Sequence, residues 1–110
     1  MANWKAKGNI VSYTLTLTAD ASSTELPGDF MYKGKFILPA EYEASLDDSI
    51  TITLKNARGI DFFDENGTLT TATTPGHISP DSKWPIMDTL YYAVSGIGSG
   101  NFSITFNFEK

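Results

Sequence analysis

From Phe102 to Phe108 every even-numbered residue is large and apolar, and Ser103, Thr105 and Asn107 between them are polar. Side chains of an extended chain project alternately to opposite faces, so this pattern predicts a strand with one buried face and one wet face. A chain carrying such a segment must supply other strands to cover the apolar face. Ile10 to Thr18 repeats the pattern, with Val11, Tyr13, Leu15 and Leu17 on one side and Ser12, Thr14, Thr16 and Thr18 on the other. So do Ser49 to Leu54, with Ile50, Ile52 and Leu54 inward, and Thr89 to Ser95, with Leu90, Tyr92 and Val94 inward.

Between these segments the reading rests on turn chemistry. Asp20 to Thr24 and Leu26-Pro27-Gly28-Asp29 carry turn residues, and Phe30 to Leu38 reads as a strand with Phe30, Tyr32, Phe36 and Leu38 in register, ended by Pro39. Ala40 to Leu46 reads as a single helical turn. Asn56-Ala57-Arg58-Gly59 reads as a turn into a short strand at Ile60 to Phe63, and Asn66-Gly67 supplies the positive φ angles of a tight hairpin. Gly96, Gly98 and Gly100 allow a close turn into the last strand. Residues 68–88 hold Pro75, Pro80, Pro85 and the single His with almost no alternation, so they read as a long loop and as the first candidate for a specific contact. With no helix of useful length, the fold class is all-β: an antiparallel β-sandwich or jelly roll of about six to eight strands in a single domain, 1–110, with residues 1–9 as an N-terminal arm.

Composition narrows the function classes. Without cysteine, neither a disulfide framework nor a thiolate metal site is open to this chain. Thirteen acidic against eight basic residues give a net charge of −5, which disfavours binding to nucleic acid. No apolar run approaches the roughly 20 residues that cross a bilayer, and the first residues lack the apolar core of a secretory signal, so the chain reads as soluble, made in the cytoplasm and not bound to a membrane.

No residue set announces catalysis, and the expectation is a protein that is not an enzyme and uses no cofactor. His77 has no Ser or Cys nucleophile motif beside it and reads as a polar loop residue. Asp61, Asp64, Glu65 and Asn66 are oxygen-rich, but their spacing is not that of a calcium loop, and turn chemistry accounts for them. Asp47 and Asp48 precede a strand and read as a solvated pair. Trp4 and Trp84 read either as caps on the core or as contact residues, since aromatic rings near a terminus and in a Pro-rich loop are costly to expose and enriched at interfaces. Tyr91, out of register with Leu90 and Tyr92, falls on the opposite face, where its ring would meet a protein partner or stack on a sugar.

The run from Ser49-Ile50-Thr51-Ile52-Thr53-Leu54 through Lys55-Asn56-Ala57-Arg58-Gly59-Ile60-Asp61, then Leu90-Tyr91-Tyr92-Ala93-Val94-Ser95-Gly96 and the closing strand, resembles a group of small tailed-bacteriophage virion proteins. In that group a strand ending in Thr-Leu leads through a Gly-hydrophobe-Asp turn, and Ser-Gly with a Gly-rich turn introduces the last strand. The resemblance implies a structural protein of the virion head, a capsid decoration or cement protein on the assembled shell. Its partners would be the major capsid protein or other virion proteins and, at a symmetry axis, further copies of itself as a trimer. On that reading Trp4, His77, Trp84 and Tyr91 are the expected interface residues. A tail or head-fibre module contacting host-surface carbohydrate is the alternative.

Overall fold

A computed structural model of the protein describes residues 3–44, 49–69, 76–97 and 100–110. It is an all-β sandwich of two antiparallel sheets, with ten strands among the described residues. The first sheet contains β1 (Trp4–Lys7), β2 (Ile10–Leu17), β4 (Phe36–Ile37), β5 (Ala40–Ala44), β8 (Gly76–Ile78) and β10 (Phe102–Glu109), in the order β1-β2-β10-β5-β8 with β4 also on β10. In the second, β3 (Ala21–Glu25), β6 (Ile50–Asn56), β7 (Thr68–Leu69) and β9 (Leu90–Ser95) lie in the order β3-β9-β6-β7.

The alternating segments form the central strands. On β10, Phe102, Ile104, Phe106 and Phe108 are all buried, and β2 turns Val11, Tyr13 and Leu15 to the same side. Across the sandwich, Ile50, Ile52, Leu54, Leu90 and Val94 close the core. Phe106 joins the layers, with its ring centroid 6.3 Å from that of Phe63 and 6.4 Å from that of Tyr92. The outer face of β2 and β10 is tied by paired side chains: Ser12 donates to Asn107 Oδ1 at 2.6 Å, and the Thr14 and Thr105 hydroxyls lie 3.0 Å apart.

Several of the remaining expectations are corrected. The segment expected as an N-terminal arm carries β1, which pairs with β2 from Trp4↔Tyr13 to Lys7↔Ile10. Ala21–Glu25, read as turn residues, is an edge strand, and Ala40–Ala44, read as a helical turn, is β5. Part of the presumed long loop, 68–88, is in strands β7 and β8. Asn66-Gly67 ends a 3-10 turn, Asp64–Gly67, and the positive φ there belongs to Asp64. At Ile60 to Phe63 there is only an isolated bridge between Lys55 and Asp61. Asp47, Asp48 and Gly98 lie outside the described residues, as do Ser45 and Leu46 of the expected helical turn.

Phe30 to Leu38 holds the correction that matters most. Asp29–Tyr32 is a single helical turn, α1, and only Phe36–Ile37 is strand. Tyr32 anchors α1 in the core: its hydroxyl donates to Leu26 O and accepts from Leu90 N, both at 3.1 Å. Burial raises the phenol pKa above its ordinary value of 10.0, opposed by the bond from Leu90 and assisted by the nearby Asp29 charge. A raised folded-state pKa makes the neutral phenol's stabilisation complete below about pH 10 and lost as pH climbs through the folded value. Tyr92 is shifted the same way, chiefly by burial. We expect Tyr32→Phe to cost about 1–3 kcal/mol by stranding the Leu26 carbonyl and Leu90 amide. It should also flatten the fall in stability above pH 10, measured by urea denaturation at pH 8 and pH 11; an unchanged alkaline slope would remove Tyr32 as its source.

Candidate interaction surface

Two short segments at one end of the sandwich carry its most exposed large apolar side chains. Residues 34–37 run antiparallel to residues 84–86, with Gly34 N donating to Ile86 O (2.8 Å), Ile86 N to Lys35 O (2.8 Å) and Ile37 N to Trp84 O (3.1 Å). Immediately before this ladder stands α1, entered through Gly28 at φ 75°. On a helical turn residues two apart point to nearly opposite sides. Burial of Tyr32 therefore sends Phe30 to solvent, where a strand would have put both rings on one face.

Phe30 is 70% exposed, Met87 68% and Trp84 39%. Ile86, between Trp84 and Met87, is fully buried and pins that stretch to the core. Trp84 leans on Phe62 with ring centroids 6.4 Å apart. Phe36, half-buried, carries the Lys83 ammonium 5.0 Å above its ring. Aromatic and Met side chains presented on a rigid frame are the residue types enriched in protein interfaces.

The rim is basic, although the chain as a whole is acidic. Lys33, Lys35 and Lys83 belong to these segments or their flanks, three of the eight basic residues in the chain. Nearby carboxylates are engaged: Asp29 with Lys33 at 2.9 Å and Asp88 with Arg58 at 3.0 Å. Both pairs are exposed and add little to stability. Their effect is to leave Lys35 and Lys83 as the local charge.

Of the four residues expected at an interface, the structure places only Trp84 here. Trp4 is 7% exposed and sits among Tyr13, Tyr32 and Phe108, with ring centroids 4.9, 6.1 and 6.3 Å away. His77 lies on β8, facing outward opposite Glu41. Tyr91 lies on the outer face of the other sheet beside Lys55. These positions do not form one surface. Phe30 and Met87 were missed because the strand register assigned to Phe30 buried it, and Met87 stood in a stretch without periodicity.

The acidic cluster is engaged in local structure. Asp61 Oδ1 accepts from Leu54 N and Phe63 N, both at 3.2 Å, and Asn66 Nδ2 donates to Ser79 O at 2.9 Å. Asn56, buried, accepts from Arg58 N and Ile60 N at 3.0 Å and so shapes the 56–60 turn. Among the described residues no group of three or more His, Asp or Glu side chains is placed to hold a metal ion. No described helix is long and apolar enough to cross a membrane.

Fold and surface together describe a small β-sandwich with an apolar, basic-rimmed end built on a rigid core. No protein-family model matches this sequence, and no curated protein is similar to it at a significant level.

Proposed function

We propose that the chain is a structural, non-enzymatic protein of a tailed-bacteriophage virion, a capsid decoration protein that docks on the major capsid protein of the assembled head. The observation that carries the docking is the exposure of Phe30, Trp84 and Met87 on two hydrogen-bonded segments of an otherwise well-buried sandwich. The virion assignment draws on the resemblance of the Ser49–Asp61 run and the Leu90–Gly96 strand to small phage head proteins. An apolar patch with a positive rim suits a shell surface that presents apolar side chains among carboxylates. Many copies on one shell would make weak single contacts effective, and a ligand that binds only the assembled state stabilises it by mass action. On this reading the protein is made in the host cytoplasm and ends on the capsid surface.

Co-sedimentation with mature and immature shells of the source phage, counted as copies per shell, tests the reading. Saturable binding to mature shells is expected. The double variant Phe30→Ser, Met87→Ser should lower occupancy at least tenfold while unfolding within about 0.5 kcal/mol of the parent, because exposed substitutions away from the core rarely do more. Equal occupancy in parent and variant would overturn the docking assignment.

A further inference from the structure

The outer face of the first sheet holds a second surface, of different chemistry. Cross-strand pairing sets Glu41 opposite both His77 and Thr105, and Glu43 opposite Ser103, and these side chains all leave the sheet on the side away from the core. They line a depression of about 310 Å³. At its edge stands Tyr42, half-buried and stacked on Phe102 at 6.2 Å. Gly76 is what lets β8 pass under that ring, because a Cβ there would lie 2.7 Å from the Tyr42 hydroxyl.

What sets this corner apart is its open hydrogen-bonding capacity. Elsewhere on the same face the polar side chains pair with each other, Ser12 with Asn107 and Thr14 with Thr105, and Asn107 also donates to Pro39 O at 3.0 Å. The side chains of Glu43, His77 and Ser103 have no hydrogen-bond partner among the described residues. Convergent polar groups without internal partners, beside an aromatic ring in a concavity of this size, are the general features of a small-ligand site. Beyond Glu41 the trough continues into a larger hollow of about 600 Å³ with an apolar shelf of Ile10, Leu38 and Pro39. The two hollows share Glu41, so an extended ligand can occupy both.

The chemistry selects the ligand. Carboxylates accept pairs of hydrogen bonds, imidazole and hydroxyl both donate and accept, and the ring and shelf offer apolar surface; vicinal hydroxyls on a pyranose with an apolar C–H face meet all three. No lysine or arginine lines the depression and two carboxylates do, so an anionic ligand would be repelled. The carboxylates and imidazole are not arranged as a metal-holding group. We propose that this face binds a neutral oligosaccharide, one sugar ring between Glu43 and His77 and the next units running past Asn107 towards Pro39. This inference does not depend on capsid docking, which uses the other end of β10.

The test exposes the folded full-length protein to a printed array of neutral, amino and anionic oligosaccharides, followed by titration calorimetry with the best neutral ligand. Retention of neutral saccharides is expected, with affinity reduced about tenfold by Glu43→Gln or by His77→Ala, the loss of roughly one hydrogen bond. Glu65→Gln, on an exposed turn of the molecule, should bind like the parent. Retention of no neutral glycan, preference for anionic glycans, or unchanged affinity in both site variants would each overturn the proposal. Shell occupancy of Glu43→Gln should equal that of the parent, which separates failure here from failure of the docking assignment.

Discussion

Replacing Trp4 with alanine will lower the free energy of unfolding by about 3–5 kcal/mol, as expected for truncation of a buried large aromatic. The indole is enclosed by Tyr13, Tyr32 and Phe108, and Tyr32 and Phe108 are themselves stacked at 5.4 Å, so one deletion opens a cavity bordered by three rings. The same indole is the only buried side chain of β1, whose other residues face solvent. Its loss therefore removes the contact that holds β1 onto β2 from the core side. Urea denaturation followed by circular dichroism will show the effect. A cost below about 1 kcal/mol, the scale of surface changes, would mean that the ring is not in the core and would return Trp4 to consideration as a contact residue. Weakened shell binding by Trp4→Ala, by contrast, would report lost fold rather than lost contact.

Gly67→Ala is expected to cost about 3 kcal/mol, near the upper end of ordinary overpacking. Gly67 is buried at the end of the 3-10 turn, directly over β6, and an added Cβ would overlap the Ile52 carbonyl oxygen, with Ile52 C at 3.2 Å and Phe63 Cβ at 3.5 Å. The obstacle is main chain in a central strand, which cannot rotate aside as a side chain would. Gly59 provides the contrast: its φ is 88° with nothing within 4 Å of an added Cβ, so its constraint is conformational. Gly59→Asn should be close to neutral, because Asn tolerates the left-handed region. If both substitutions cost the same, the close approach at Gly67 is not what fixes glycine there.

The central strands were legible because each has one face in the core and one in water, and that asymmetry writes itself into alternate residues. Edge strands lack it. All of β3 except Ala21 is exposed, so Ser22-Ser23-Thr24 carried only its turn propensity. On β5 the alternation is present, Ala40 and Tyr42 against Glu41 and Glu43, yet Ala and Glu also favour helix, and the local preference misled where sheet pairing decided. Phe30 and Tyr32 share parity, so a strand buries both; nothing local revealed that Pro27-Gly28 starts a helical turn. The candidate surface was legible only at Trp84. Its partners depend on a ladder between residues about fifty apart in sequence, which no short-range pattern encodes.

The place of β10 has a consequence for synthesis. Its partners in the first sheet, β2, β4 and β5, all precede it by long stretches of chain, Phe102 pairing with Leu17 and Glu109 with Ile10. Every strand of the second sheet emerges from the ribosome earlier, so a nascent chain ending near Ile97 can pair β3, β9, β6 and β7 but presents their apolar face uncovered. Closure of the sandwich waits for residues 102–109, and pairings so distant in sequence place folding in the slow range of two-state domains, about milliseconds to seconds. During that interval the growing chain is a natural client for holding chaperones, and its most aggregation-prone moment comes just before the last strand is made.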